Sequence, residues 1–172
     1  MHILPAGGLL RCTLNAVRIR PLSVDDAPAM AEVLSAALLY EFIGGSPPSA
    51  AELARRYSVQ VVGVSPDGQE QWINEVVVLE PHDRPIGYVQ ATIPSAGGPA
   101  EIAWVIGEAW QGHGYATRAA QLLVELLVGR GVTELAHIHP DNSASQKIAQ
   151  RLGLQPTNLI VEGETRWEGP CG

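Results

Sequence analysis

Alternating and β-branched hydrophobic segments predict one strand near the start of the chain and several more beyond residue 70. The stretches between the later strands are short and rich in proline, glycine and aspartate, so the second and third strands form a predicted hairpin. The predicted strands span 17–22, 73–80, 86–93, 100–106 and 134–139, with one or two more within 154–168.

Segments rich in alanine and leucine, which begin at a capping residue and end near a glycine, predict the helices. Ser23 is followed three residues later by Asp26, and Ser49 is followed at the same spacing by Glu52, so both segments begin with a capping-box pattern. No repeat or linker interrupts the chain, which predicts one α+β domain with helices first and then a mixed sheet. The predicted helices span 23–39, 49–62, 114–130 and 142–152.

Length and composition favour one globular domain that needs no disulfide or metal to fold. The chain has 172 residues, of which 46% are hydrophobic and 17% are charged, and its net charge is −7. Lys147 is the single lysine and the other cations are arginines that form no basic stripe, which argues against a nucleic-acid or anionic-membrane partner. The excess of carboxylates instead favours a cationic partner such as an amine.

The two ends of the chain carry little recognisable chemistry. Cys12 and Cys171 lie at opposite ends and match no disulfide framework or zinc motif, so we expect two free thiols. The apolar stretch at 3–10 is interrupted by proline and glycine and lacks the basic leader and cleavage site of a signal peptide. We therefore expect a cytoplasmic protein with a flexible leader at 1–16 and a single domain at 17–172.

A glycine-rich segment follows the predicted strand 100–106. Gly112 and Gly114 lack a Cβ atom, so the backbone can turn tightly and a ligand can contact bare amides at the start of the next helix. With the helix dipole, these amides form a candidate phosphate or diphosphate site. A Walker loop is excluded because GxxxxGK[ST] is absent, and the GxGxxT match at 112–117 comes about a hundred residues too late for a first dinucleotide-binding unit.

Two motifs, in order, carry a resemblance to a known family. Gln111, Gly114 and Ala116 form Q-x-x-G-x-A between a strand and a long helix, and this segment resembles the acetyl-CoA loop of the GNAT superfamily of N-acetyltransferases. Asn142 and Ser145 form N-x-x-S at the start of the next helix, which ends at LGL and is similar to the second half of the same signature.

The beginning of the chain extends this resemblance to ribosomal-protein N-terminal acetyltransferases of the RimJ/RimL type. That branch tends to begin with a strand such as VRIRPL and an acidic helix start such as SVDDAPAM. The resemblance covers 17–167, and its most specific part is 101–154. It implies a GNAT fold, with a mixed, mostly antiparallel sheet of about six or seven strands flanked by about four helices. It also implies acetyl-CoA as cosubstrate and no metal.

The resemblance further implies a role for each motif position. Glu101 would take the proton of the amine, and Ser145 would protonate the departing thiolate. Strand 100–106 would bind pantetheine where it bulges away from its neighbour, the loop amides would bind the diphosphate, and the N-x-x-S motif would face the thioester. The implied cofactor-binding residues are Trp104, Val105, Ile106, Gln111, Gly112, His113, Gly114, Tyr115, Ala116, Asn142 and Ser145.

One position departs from the family pattern. Many GNAT enzymes carry a tyrosine acid four residues past the N-x-x-S serine, and this chain has Ala149 there. The acid role then falls to Ser145 or to no side chain, and a neutral serine acts mainly through a hydrogen bond to sulfur. The departure keeps a second class open, a non-catalytic acyl-CoA-binding or sensor domain of the same fold.

Other polar residues have simpler interpretations. His137 and His139 alternate on one strand face, but two ligands without a third do not make a metal site, so structural or surface roles are favoured. His139, Asp141 and Ser143 are too close in sequence for a hydrolase triad, and GxSxG is absent. The segment 38–42 is a specificity candidate, because the first two helices wall the acceptor site in the family.

The expected acceptor is a primary amine, either a peptide N-terminus or a small amine such as an aminoglycoside or polyamine. An α-amino group has a pKa of about 8 and a lysine side chain one of about 10.4, so freeing the lysine amine at pH 7 costs roughly 3.3 kcal/mol more. A single carboxylate base therefore favours low-pKa amines. No nucleic acid or membrane partner is expected, and the expected oligomeric state is a monomer or homodimer.

Overall fold

The computed structural model describes residues 17–169. The expected leader at 1–16 and both cysteines lie outside the described residues. Within the described part, no helix is both long enough and apolar enough to cross a membrane. The strands are β1 Val17–Pro21, β2 Glu70–Leu79, β3 Arg84–Pro94, β4 Ala100–Ile106, β5 Glu134–Ile138, β6 Gln155–Val161 and β7 Glu164–Glu168. The helices are α1 Ala27–Val33, α2 Tyr40–Ile43, α3 Ala50–Gln60, α4 Tyr115–Val128 and α5 Ser143–Arg151.

The strands form one open sheet in the order β1-β2-β3-β4-β5-β7-β6. Every described pair of neighbours is antiparallel except β4 and β5, which α4 connects in sequence. This confirms the predicted α+β class and the mostly antiparallel sheet of about six or seven strands. Within the described part of the chain, five helices flank it instead of about four, because the first predicted helix is divided.

The position of β4 sets the geometry of the site. It pairs with β3 without a shift from Glu101 to Ile106, but with β5 only at Ala100–Glu134 and Glu101–Leu135. The expected bulge of β4 is therefore not present in its ladder with β3, and the register shifts lie in the β2–β3 and β6–β7 ladders. What separates β4 from its neighbour is the early end of its pairing with β5.

The sheet has a hydrophobic core on each face, because the side chains of a strand alternate between the faces. On β2, Val77 packs in the core covered by α4, whereas Val76 and Val78 pack in the core covered by α1 and α3, and all three are fully buried. Val105 of β4 belongs to the α1 and α3 side. That side also holds the candidate site.

The two predicted capping boxes are both present. The Ser49 hydroxyl accepts from the N–H of Glu52, and the Ser23 N–H donates to Asp26. Asp26 also accepts two hydrogen bonds from the Arg20 guanidinium, at 3.0 and 2.6 Å. Burial acts to raise the pKa of Asp26, but the hydrogen bonds from Arg20 and Ser23 outweigh it and lower that pKa.

The predicted helix 23–39 is divided into three pieces. The segment begins with a short 3-10 turn at Val24–Asp26, continues as α1, leaves the helical conformation after Leu34 and ends with a second 3-10 turn at Ala37–Leu39. The Ser35 hydroxyl donates to the Glu32 carbonyl at 2.8 Å, and Ala36 is extended (φ −73°, ψ 124°). A serine that bonds a carbonyl of the preceding turn competes with continued helix formation, which explains the break.

Candidate active site

A cavity of about 560 Å³ lies on the α1 and α3 side of the sheet, where β4 and β5 separate. Both strands line it, together with the segment from α2 to α3 and the N-terminus of α5. Four residues that the sequence predicts for cofactor binding meet here, namely Trp104, Val105, Asn142 and Ser145. The loop at 111–116 does not line this cavity; it lies between β4 and α4.

The glycine loop leaves its backbone open. Gly112 and Gly114 have φ values of +77° and +80°, in the left-handed region that favours glycine, and no atom lies within 4 Å of a Cβ built on either residue. The Gln111 side chain donates to the carbonyl of Ile106 at 2.9 Å and so ties the loop to the end of β4. His113 Nδ1 lies 2.8 Å from the Gln111 carbonyl oxygen, and its ring stacks on Tyr115.

The first turn of α4 follows this loop, and its backbone N–H groups are not used by the hydrogen bonds of the helix. The first bond of the helical pattern runs from the N–H of Arg118 to the carbonyl of Gly114 at 3.1 Å, so the N–H groups of Tyr115, Ala116 and Thr117 precede it. Gly114 stands at the N-cap position and provides no side-chain cap. These donors and the helix dipole fit an anionic group such as a diphosphate.

The second motif forms the N-terminus of α5. The Asn142 side chain accepts a hydrogen bond from the N–H of Ser145 at 3.1 Å and so caps the helix. Ser145 is half-buried and lines the cavity. Ala149, which stands where many family members carry tyrosine, is fully buried in the core covered by α4.

Glu101 forms a pair that the sequence analysis missed. Oε1 of Glu101 lies 2.8 Å from Nδ1 of His137, across the last residues at which β4 and β5 pair. A carboxylate only accepts, so the shared proton belongs to Nδ1. His137 lines the cavity and is 14% exposed, whereas Glu101 is 54% exposed. Nε2 of His137 is buried without a hydrogen-bond partner among residues 17–169.

His139 contacts a segment that the sequence analysis predicts to be a wall of the acceptor site. Its ring centroid lies 5.4 Å from that of Phe42, in the segment 38–42 that the sequence proposes for specificity. Tyr40 and Phe42 both line the cavity, and the Tyr40 hydroxyl donates to the Leu34 carbonyl. Within residues 17–169, no group of three or more His, Cys, Asp or Glu side chains could hold a metal ion.

Several cavity residues have no motif that would reveal them. Arg56 and Tyr57 come from α3, and Tyr88 and Gln90 come from β3, where alternation places both on the α1 and α3 side of the sheet. Burial raises the pKa of Tyr57 and of Tyr88. The strand periodicity could have placed Tyr88 and Gln90 on one face, but only the tertiary fold brings α3 over them.

Solved structures with the same fold include two acetyltransferases in complex with coenzyme A. A RimL ribosomal L7/L12 α-N-protein acetyltransferase in complex with coenzyme A is 17% identical and covers 88% of this chain and 92% of its own, with a TM-score of 0.74. The aminoglycoside acetyltransferase AAC(6')-Ib in complex with coenzyme A is 20% identical and covers 89% and 92%, with a TM-score of 0.71.

A domain from Methanocaldococcus jannaschii is also similar, at 22% identity over 89% of this chain and 97% of its own, with a TM-score of 0.71. At these identities the likeness concerns the fold. No curated protein sequence gives a significant match. The model of the acetyltransferase (GNAT) domain family matches residues 16–155, which include both motifs and the cavity-lining part of β4. The chain therefore belongs to the GNAT acetyltransferase family.

Proposed function

We propose that this protein is an N-acetyltransferase that moves the acetyl group of acetyl-CoA directly to a bound primary amine. The observation that carries the proposal is the arrangement of three parts along β4, with the loop at its end and the cavity and the fork where it separates from β5. These parts are an open amide loop at the start of α4, a cavity of about 560 Å³, and a carboxylate at the fork, Glu101, hydrogen-bonded to His137.

Acetyl-CoA fits the residues present. The loop amides at 111–116 would hold the diphosphate, because they lie at a helix N-terminus with no side-chain cap. Beyond Glu101, the backbone of β4 has no strand partner on the β5 side, so Trp104, Val105 and Ile106 have polar groups available for the pantetheine amides. Asn142 and Ser145, at the N-terminus of α5, would face the thioester.

The acetyl donor supplies an activated carbonyl, and the chain's own residues have to position the amine and receive its proton. Glu101 is the carboxylate we assign to this step, acting directly or through one water. Its Oε1 is fixed by His137, which leaves Oε2 for the proton. An amine with a pKa of about 8 requires less from this base than a lysine side chain does.

Fewer side chains are available to protonate the departing thiolate or to donate a hydrogen bond to it. Ser145 lines the cavity one helical turn from Ala149, which carries no acid. We assign Ser145 a hydrogen bond to the sulfur, with a modest effect on rate because a hydroxyl is a weak acid. The buried Ala149 is also the observation that favours the second candidate, an acyl-CoA-binding domain without catalysis.

A RimJ/RimL-type acceptor, the N-terminus of a protein, is one candidate and a small amine is the other. The structural neighbours include a protein acetyltransferase and an aminoglycoside acetyltransferase, so both acceptor classes occur on this fold. The first strand and its acidic helix start favour the RimJ/RimL type, and Asp26 has a structural task there with Arg20.

The test is an acetyl-CoA turnover screen, read by thiol release, against free amines, aminoglycosides, polyamines and peptides with free N-termini. We expect thiol release that requires an amine, together with a mass increase of one acetyl group on that amine. Saturable binding of CoA without thiol release from any amine would overturn the enzymatic proposal in favour of the sensor domain.

A further inference from the structure

The cavity has one end whose hydrogen-bond donors take no part in the reaction described above. Arg56 of α3 lines this end and makes no ion pair with any residue in 17–169. Arginine presents several N–H donors in a fixed plane that matches a carboxylate. A guanidinium at a cavity wall without an internal partner is available to an anionic group of a ligand.

Two tyrosines of the same end provide further donors. Tyr57 is 5% exposed and lines the cavity, and its hydroxyl has no hydrogen-bond partner among the described residues. The Tyr88 hydroxyl likewise lacks one, and Tyr88 also lines the cavity. Burial raises the pKa of both, and the nearby charge of Arg56 opposes the rise, so both hydroxyls stay protonated donors.

Amide side chains complete the floor of this end. Asn74 of β2 and Gln90 of β3 are opposite each other in the antiparallel ladder and both line the cavity. The Asn74 amide donates to the Gln60 carbonyl at 3.4 Å, and the Gln90 side chain has no partner among residues 17–169. A ligand carboxylate bound at this end could accept hydrogen bonds from side chains of α3 and from side chains of the sheet.

Glu52, Glu75 and Glu164 line the cavity, and none of them forms an ion pair with Arg56. Glu52 is one turn from Arg56, but its carboxylate accepts from the N–H and the hydroxyl of Ser49, both at 2.7 Å. Burial raises the pKa of Glu75, against the nearby charges of Arg130 and Arg20. Glu164 belongs to β7, next to the strand that carries His137 and His139.

We propose that the acceptor is a primary amine that also carries a carboxylate, bound at this end by Arg56, Tyr57 and Tyr88. The inference rests on the proposed function and specifies its substrate class. The amine would lie at the Glu101–His137 fork, where Glu101 is two residues along the β3–β4 ladder from the Ala103–Gln90 pair, or roughly 7 Å. The carboxylate could belong to a free amino acid or to an acidic residue at a peptide N-terminus, and the two sources have the same chemistry at Arg56.

A polycationic acceptor such as an aminoglycoside fits this end less well. Each ammonium group near Arg56 would meet a like charge, which is unfavourable in a cavity. The net charge of −7 attracts cations at long range, but it does not cancel the local field of the guanidinium.

The experiment compares acceptors that differ only in one carboxylate. The peptide arm uses Glu-Ala-amide against Gln-Ala-amide, and the amino-acid arm uses alanine against alaninamide, with rates divided by the fraction of free amine. We expect the carboxylate to raise kcat/KM by about 10- to 100-fold in at least one arm, as charge-assisted hydrogen bonds do. Equal rates in both arms, or a preference for kanamycin or spermidine, would overturn the inference.

Arg56→Gln and Arg55→Gln form a matched pair of variants. Both remove one arginine from α3, but Arg55 does not line the cavity. We expect R56Q to abolish the carboxylate preference through a higher KM, and R55Q to keep it. Tyr57→Phe is the second variant, and we expect it to weaken the preference about fivefold, as the loss of one hydrogen bond does. Equal effects of R55Q and R56Q would overturn the inference.

A binding measurement separates this inference from the proposed function. N-acetylglutamate and N-acetylglutaminamide, which carries no carboxylate, are titrated into the wild type, R55Q and R56Q by calorimetry, without acetyl-CoA. We expect N-acetylglutamate to bind the wild type and R55Q at least tenfold more tightly than it binds R56Q. If no amine supports thiol release, this result would still uphold the carboxylate site, and equal binding to all three proteins would remove it.

Discussion

Nδ1 of His137 donates a hydrogen bond to Oε1 of Glu101, 2.8 Å away, at the point where β4 and β5 stop pairing. This hydrogen bond fixes Oε1 of a carboxylate that is otherwise exposed. Because both oxygens belong to one rigid group, it also sets the direction of Oε2. His137 lines the cavity, and Glu101 lies beside it with an exposed side chain. The pair therefore connects the solvent with the interior of the site.

Glu101→Gln should lower kcat by about 100-fold at neutral pH and by much less at high pH. The reason is that a general base contributes about 10²-fold or more only while the amine arrives protonated. When the pH is above the pKa of the amine, the amine is already deprotonated in solution. The measurement is the pH profile of kcat and of kcat/KM for the best acceptor. A profile of unchanged shape in E101Q would remove Glu101 as the base.

Substitutions of His137 should separate a positioning role from a packing role. Asn at position 137 can offer an N–H close to where Nδ1 stands, whereas Leu cannot, and both variants are smaller than histidine. We expect H137L to lower kcat about tenfold and shift its pH profile, with little change in the KM for acetyl-CoA, and H137N to recover most of the loss. If H137N and H137L behave alike, the hydrogen bond to Glu101 has no catalytic task.

A double-mutant cycle provides the control for this pair. If His137 acts through Glu101, H137L should have almost no effect in an E101Q background. The effects of substituting two residues that act through one contact are not additive. Equal fractional losses in both backgrounds would show that His137 contributes independently of Glu101. Thermal unfolding of all four proteins excludes a common loss of folding.

The ion pair of Asp26 with Arg20 should stabilise the fold in a pH-dependent manner. The folded-state pKa of Asp26 lies below its unfolded value, so its contribution is present above about pH 4 and is lost as the pH falls through the lower, folded-state value. Asp26→Asn should reduce the free energy of unfolding by about 2 kcal/mol at pH 7, because hydrogen bonds to a buried charge are removed. Urea denaturation at pH 7, 5 and 3.5 measures the difference.

Asp25→Asn is the matched control for this prediction. Asp25 is the neighbouring residue, it is exposed, and its side chain makes no hydrogen bond with a described residue. We expect D25N to stay within about 0.5 kcal/mol of the wild type. The gap between the wild type and D26N should narrow as the pH falls below about 4, and a gap that is constant with pH would contradict the assignment.

Local signals in the sequence predict most of the fold. The capping boxes at Ser23 and Ser49 are found where the spacing predicts them, and the strand at 100–106 matches β4 at both ends. The helix predicted at 23–39 fails at Ser35, because a single hydroxyl that bonds the Glu32 carbonyl is not visible in a composition of alanine and leucine.

The site was predictable only as far as its motifs extend. Trp104 and Ser145 belong to the family signature and both line the cavity. The sequence alone favours a structural role for His137, because its relation to Glu101 depends on the pairing of two parallel strands and the two residues are 36 positions apart. Arg56 and Tyr57 have no motif, and their place at the cavity follows from the packing of α3 over the sheet.

Alanine at Gly114 should weaken CoA binding beyond its effect on stability. Gly114 has φ +80° and open space at the Cβ position, so a methyl group meets no clash but a left-handed alanine costs about 1–2 kcal/mol. The loop would relieve this strain by moving, and the amides of the α4 N-terminus would lose their alignment with the diphosphate. We expect the Kd for CoA, measured by calorimetry, to rise at least tenfold.

Gly97→Ala separates strain from ligand binding. Gly97 has φ +89° and equally open space, but it lies in the turn between β3 and β4. Both variants should lower Tm by a similar 2–8 °C or so, the shift expected for about 1–2 kcal/mol in a domain of this size. Only G114A should raise the Kd for CoA. If G97A raises it equally, the loss reflects the stability of the whole domain, and the glycine loop is not the diphosphate site.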